Sequence, residues 1–386
     1  MKLEYTDEQR AFRQEVRSWM EANVPAGPLP SFDLTREGFE AHRDWERKLN
    51  EGRWGMVTWP EELGGRGLDL IRWLIFEEEY YRAGAPTRVN QNGIFLLGPT
   101  MMEFGTDDQK ARFLPRMAAG DDVWAQAWSE PGAGSDLAGV RSTCTLDGDH
   151  YVLNGQKIWS SRATFADWAF GLFREPGSER HKGMSLVLFP LDAPGVTRRP
   201  IARMDGELVF AEIFLDNVRV PVADRLGDEG QGWHVCMATA GFERGLLLRS
   251  PARYQVAASK LIALYEKHKH RLPASVGERV AKSWMAAEAY ALTIYAMASR
   301  LAAGGTIGPE ASTNKIFWSE LDIALHQTAL DILGDRAELL STAPDAGDVD
   351  GWLDGHVFAL AGPIYAGSNE IQRNIIAERM LGLPRA

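Results

Sequence analysis

Trp128-Ser-Glu-Pro-Gly-Ala-Gly-Ser-Asp136 and, further on, Gly155-Gln-Lys-Ile-Trp-Ser-Ser161 are the two stretches on which the reading of this chain turns. A redox heterocycle such as a flavin needs hydrogen-bond partners along its pyrimidine edge, a flat apolar surface against its ring, and backbone that approaches ring and phosphates closely. Ser129, Trp159 and Ser161 are of the right types for the first two needs, and Gly132 and Gly134 for the third. A Gly-Ser pair alone reads as an ordinary turn. The ordered pair of stretches is more specific.

The 386 residues, 45% of them hydrophobic, suffice for a large core and exceed one compact unit, so two or three domains are expected. A formal charge of −11 argues against a nucleic-acid or anionic-membrane surface. Two cysteines, Cys144 and Cys236, form neither a disulfide framework nor a zinc site, and point to a reducing compartment. No stretch is long and apolar enough for a membrane span, and the N-terminal residues run straight into a helical pattern, so a cytoplasmic protein is expected.

Thr6 or Asp7 can cap a first helix with Phe12, Val16, Trp19 and Met20 on one face, and Trp73–Ala83 and Asp107–Met117 keep helical character. After about Asp122 the pattern changes to short β-branched and aromatic runs. These are Ser142–Leu146, His150–Leu153, Trp168–Phe173, Met184–Pro190 and Leu208–Leu215, with Asp147-Gly148 and Asn154-Gly155 read as turns. From about Gly232 long amphipathic helices return, interrupted at Leu272-Pro273 and along Ser341–Asp350. The expected fold is therefore α+β and mostly α: an N-terminal helical domain (1–121), a middle antiparallel β-domain (122–229) and a C-terminal helical bundle (230–386).

Over essentially its whole length the chain resembles the acyl-CoA dehydrogenase family. That family's signature reads Ser/Thr-Glu-x-x-x-Gly-Ser-Asp and then Gly-x-Lys-x-Trp-x-Thr/Ser. The resemblance implies that Gln126, Trp128, Ser129, Gly134 and Ser135, then Trp159 and Ser161, contact FAD. It implies that Ser135 also touches the pantetheine arm of an acyl-CoA substrate. Near the C-terminus Tyr365-Ala-Gly-Ser-Asn-Glu-Ile-Gln372 stands where the family has Tyr-Glu-Gly-Thr-x-x-Ile-Gln. Ser368 caps the helix that follows, whose Ile371, Ile375 and Ile376 form an apolar stripe. Such an N-terminus suits a phosphate, and the resemblance brings Ser368 and Glu370 into the cofactor site.

The same segment holds the main departure. The commonest base of the family is the Glu of Tyr-Glu-Gly-Thr, and Ala366, in that position, cannot accept a proton. Removing the Cα proton of a thioester needs one carboxylate in a dry site. Glu243, in Gly241-Phe-Glu-Arg-Gly245 among Phe242, Leu246, Leu247 and Leu248, is the candidate, because one branch of the family carries its base on this helix. On its own a Glu-Arg pair on a helix reads more simply as a solvated or structural ion pair. Arg244 is the expected tuner of the base or a substrate contact. Ala366 keeps its backbone amide, which can polarise the thioester carbonyl. Its small side chain leaves volume for a branched or bulky acyl group.

Homomeric members use an Arg-x-x-Phe element and a Gln-x-x-Gly-Gly element to serve a neighbour's flavin. Neither is recognisable here: the regions read Lys267-His-Lys-His-Arg-Leu-Pro273 and Asp331-Ile-Leu-Gly-Asp335, and the two acids would face a neighbour's cofactor phosphates. The resemblance thus implies a dimer or tetramer, similar to heteromeric steroid-degrading enzymes in which a second, nonidentical subunit retains those elements. It also implies an electron-transfer flavoprotein as electron acceptor. A flavin oxidase or monooxygenase on the same fold, a non-catalytic supporting subunit and a redox-inactive acyl-CoA binder stay open. No zinc-type cluster, Walker loop, dinucleotide fingerprint or hydrolase elbow is present in the sequence.

Overall fold

The computed structural model describes residues 4–244, 250–339, 343–347, 349 and 351–384, with the side chains of 242–244 outside that description. Five helices come first: α1 (Asp7–Asn23), α2 (Arg36–Glu51), α3 (Leu70–Arg82), α4 (Gly98–Phe104) and α5 (Asp107–Ala119). Eight strands follow: β1 (Trp124–Ala127), β2 (Thr143–Asp147), β3 (His150–Ser161), β4 (Trp168–Arg174), β5 (Met184–Pro190), β6 (Val196–Ile201), β7 (Phe210–Pro221) and β8 (Arg225–Leu226). The chain then returns to helices: α6 (Gly232–Arg244), α7 (Pro251–His268), α8 (Ala274–Ala302), α9 (Ala311–Leu333), α10 (Trp352–Ala359) and α11 (Asn369–Ile375). This is the helical, β, helical order expected from the sequence. Among the described residues no helix is long and apolar enough to cross a membrane.

The elements gather into two compact units that interleave along the chain. One comprises Met1–Val24, Asp69–Ala85 and Arg244–Ala386; the other comprises Pro25–Leu68 and Pro86–Glu243. In the first, α1 starts where local chemistry places it. Thr6 accepts the Gln9 N–H and the Gln9 side chain accepts the Thr6 N–H, which satisfies two of the free donors at the helix start. Phe12, Val16 and Met20 are buried. Arg13 and Arg17 bind Glu79 of α3, each at 2.9 Å.

The second unit is built on a sheet of order β6-β7-β3-β2-β4-β5-β8, with β1 paired to β4. It is antiparallel except where β1 and β2 meet β4, and both of those pairings are parallel. The middle domain expected as antiparallel is thus mixed at those two pairings: β1 and β4 are joined through the β2–β3 hairpin, and not by a direct turn. Burial alternates along β3 and β7, so each shows one face to the core. The residues Val123, Ala125, Ala127, Tyr151, Phe173, Phe189 and Ile213 belong to that core. The sequence reading missed β6, whose Arg198, Arg199 and Pro200 dilute any strand signal.

Asn154-Gly155 is a second correction. The pair lies inside the continuous strand β3, opposite a register shift in β7 between Leu215 and Val218. Gly155 has φ +141°, and a Cβ there would lie 2.3 Å from Ser142 Oγ. Close approach and backbone conformation, not a hairpin, require glycine.

Candidate functional site

On the sheet-containing unit, β1 carries Gln126, half-buried and in register with Phe170 of β4. Trp128 follows β1 and is 7% exposed, with its ring edge-on to Phe170 at 6.1 Å. Its indole N–H has no acceptor among the described residues. Ser129 is half-buried, and its carbonyl accepts the Ile158 N–H at 2.9 Å. A tight turn closes next: Glu130 and Ala133 exchange backbone hydrogen bonds at 2.9 and 3.0 Å. Gly134 and Ser135 are exposed beyond it. A Cβ built at Gly132 or Gly134 meets no atom within 4 Å, so no packing among the described residues accounts for these glycines.

The second stretch runs along the outer half of β3. A register shift between Lys157 and Ser160 sets two residues of β3, Ile158 and Trp159, against the one residue Glu212 of β7, so Trp159 sits on the bulge. It has φ +59°, is 57% exposed, and touches Phe210 edge-on at 5.8 Å. A large ring in the left-handed region and in solvent carries a cost that the surrounding strand must hold. Ser161, two residues on, is half-buried.

One side chain that sequence reasoning did not single out binds the two stretches together. Lys157 is fully buried, and its Nζ donates to Glu130 Oε1 at 2.8 Å and to the carbonyls of Trp128 and Leu172 at 3.4 and 2.5 Å. Glu130 also accepts the N–H groups of Arg141 and Ser142 at 2.6 and 2.9 Å. Burial pushes the Glu130 carboxyl up, but Lys157 and these amides outweigh it and hold the group below its ordinary value. The only signal in sequence is the presence of both residues within the two stretches. Together they give a flat exposed ring, a buried N–H without an acceptor, a side-chain amide and two hydroxyls on one unit, an arrangement that suits a planar heteroaromatic ligand.

On the helical unit, Ala366 and Gly367 both lie at positive φ, +56° and +76°. Ser368 caps α11 by accepting the Ile371 N–H at 3.4 Å. Glu370 is exposed; its own backbone N–H and the Ser368 side chain hold its carboxyl below the ordinary value. The expected apolar stripe is not what α11 buries. Ile371, Ile375 and Ile376 are half-buried, while the polar Asn369 and Gln372 are buried.

The backbone of Glu243 lies in the last turn of α6. Its side chain, that of Arg244, and the Leu246–Leu248 surroundings lie outside the described residues. Of the two acids expected to face a neighbour's phosphates, Asp331 pairs with Arg279 at 2.5 Å and accepts from Gln327 at 3.1 Å. Its charge is thus compensated within the chain. No group of three or more metal-ligating side chains occurs among the described residues.

Comparison with known proteins bears on these surfaces. The description "Acyl-CoA dehydrogenase, N-terminal domain" matches residues 6–121, the middle-domain description residues 125–218, and the C-terminal description residues 230–381. The chain is similar to acyl-CoA dehydrogenase IpdE1 of Mycobacterium tuberculosis, at 42% identity over 97% of each chain. It is also similar to acyl-CoA dehydrogenase FadE26 of the same organism, at 34% identity over 100% of each. Among solved structures, the ChsE4-ChsE5 complex from Mycobacterium tuberculosis matches with a TM-score of 0.83 at 33% identity, covering 100% of both chains. The "Tcur3481-Tcur3483 steroid ACAD" matches with a TM-score of 0.89 at 28% identity, again over 100% of both.

Proposed function

The chain belongs to the acyl-CoA dehydrogenase family, and from that premise we propose that it catalyses α,β-dehydrogenation of a branched or bulky acyl-CoA thioester. The observation that carries the proposal is Trp159, an exposed indole held at positive φ on a strand bulge. FAD fits the residues around it. The Trp159 ring supplies a face for the flavin ring, while Gln126, the Trp128 N–H, Ser129 and Ser161 supply hydrogen bonds along its edge. The backbone at Gly134 leaves room for the pyrophosphate, and on the helical unit Ser368 and Glu370 are the residues that the family resemblance assigns to the cofactor. Bound FAD supplies the acceptor for the hydride that leaves Cβ.

The chain's own residues do the rest. Glu243 takes the Cα proton on its carboxylate as the Cα–Cβ double bond forms, and Arg244 tunes that carboxylate or holds the substrate. Ser135 orients the pantetheine arm. The Ala366 amide donates to the thioester carbonyl oxygen and stabilises the charge that gathers there. An electron-transfer flavoprotein then collects the electrons. A second, nonidentical subunit supplies the trans cofactor elements that Lys267–Pro273 and Asp331–Asp335 do not match. The similarity to the ChsE4-ChsE5 complex supports this pairing.

Anaerobic titration with straight-chain, branched and steroid-side-chain CoA thioesters tests the reading, on the protein alone and with candidate partner subunits. Flavin bleaching by a bulky thioester is expected, slowed at least a hundredfold in Glu243→Gln, on the order of the rate a general base contributes. Bleaching at an equal rate would remove Glu243 from its role. A colourless protein that takes up no FAD would end the proposal.

A further inference from the structure

The bend that precedes α11 is held by side chains that take no part in the proposed proton and hydride transfers. Left-handed backbone at Ala366 costs about 1 kcal/mol and persists only where the surroundings impose it. Three buried polar residues impose it: Lys315 of α9, and Asn369 and Gln372 of α11. Lys315 Nζ donates to the Gly362 carbonyl and to Asn369 Oδ1, both at 2.8 Å. The Asn369 N–H donates to the Pro363 carbonyl at 2.8 Å, and its Nδ2 to Ser319 Oγ at 3.1 Å. Gln372 Nε2 reaches the Gly367 carbonyl at 3.1 Å and that of Ala366 at 3.5 Å. A Cβ on residue 367 would stand 2.5 Å from that same Nε2, so any larger residue there would push the Gln372 amide away from the carbonyls it holds.

Both ends of the bend are therefore tied through their carbonyls. The amides are left over: among the described residues neither the Ala366 nor the Gly367 N–H has an acceptor. A donor whose peptide is held in place by a buried network is pre-organised, and reorientation costs nothing when charge develops on its acceptor. With no carboxylate at position 366, the backbone amide is what this residue can contribute to the chemistry.

We infer that Lys315, Asn369 and Gln372 are positioning residues, which hold the 362–368 bend so that the Ala366 N–H points at the thioester carbonyl oxygen. The inference rests on the reading above, in which that amide polarises the carbonyl. A role confined to packing α11 on α9 would affect stability without affecting polarisation.

The test uses the flavin-loaded protein and 4-(dimethylamino)cinnamoyl-CoA, whose visible band moves to longer wavelength as its carbonyl accepts a stronger hydrogen bond. Wild type, Lys315→Met and Gln372→Leu are compared, with thermal midpoints establishing that each is folded; Gln372→Leu keeps the comparison if Lys315→Met does not fold. The expected result is a red shift in wild type that falls by more than half in the folded variants, while the dissociation constant of the probe changes less than about threefold. Reductive bleaching by an accepted thioester should slow about tenfold or more, against the hundredfold or greater loss seen when an oxyanion donor is removed altogether. A folded variant with the full wild-type shift would overturn the inference. So would a wild type that bleaches normally without shifting the probe, though dehydrogenation would stand. Neither shift nor bleaching in wild type would bring down both.

Discussion

Trp159 combines a positive φ, a strand bulge and a ring more than half in solvent, which no propensity of tryptophan explains. Because the ring buries little against the chain, its removal should hardly affect the fold. Trp159→Ala is expected to shift folding stability by less than about 1 kcal/mol. The same change should weaken FAD binding about tenfold, the worth of one aromatic stack. Reconstitution of apoprotein followed by flavin fluorescence, beside a thermal melt, separates the two effects. Unchanged FAD affinity would show that the ring is not the cofactor platform. Gly155 illustrates the opposite case. There the strained backbone answers to a neighbour in the chain, Ser142, and has no bearing on a ligand.

Between elements, the buried Lys157–Glu130 pair ties β3 to the turn that follows β1, and so holds the two candidate cofactor stretches in one arrangement. The Glu130 carboxyl is held below its ordinary value of 4.5 in the folded protein. A carboxylate depressed on folding contributes stability above its unfolded value, and that contribution fades as pH falls through the folded one. Glu130→Gln should therefore cost about 2–3 kcal/mol at pH 7, since it leaves a buried ammonium without its partner charge. The gap to wild type should narrow as pH falls below about 4.5, where the carboxyl of the unfolded chain begins to bind its proton, and close as pH passes through the lower folded value. Denaturant melts across pH 3–7 measure this. A gap constant over the range would mean that the charge on Glu130 contributes nothing.

Across the helical unit, cohesion depends on charges contributed by distant parts of the chain. Arg253 of α7 binds the buried Asp322 of α9 at 2.8 Å, and His326 lies 3.3 Å from the same carboxylate. Asp322 keeps the Arg253 guanidinium charged against the opposing effect of burial. Arg253→Met should destabilise the protein by about 3 kcal/mol, because it takes the guanidinium away from a buried carboxylate. Arg253→Met combined with Asp322→Leu should recover part of that loss. Equal stability of the single and double variants, measured in urea, would show that the buried carboxylate is not what the arginine serves.

Much of this was legible in the residues because it is local. The cap at Thr6, the runs that became β4 and β5, and the helical return at Gly232 each depend on neighbours a few positions away, and the two candidate cofactor stretches stand out by their order along the chain. The dipeptide Asn154-Gly155 misled for the same reason, since turn preference is a local statistic and the cause of the glycine lies in Ser142. The isoleucines of α11 do not by themselves set its most buried residues, because Asn369 is drawn in by Lys315 and Ser319 of another helix. Only the tertiary structure assigned Lys157 to Glu130, 27 positions back, or Lys315 to Asn369, 54 positions on. A buried charge takes whatever partner the packed chain brings within about 3 Å, and no period along the sequence encodes that distance.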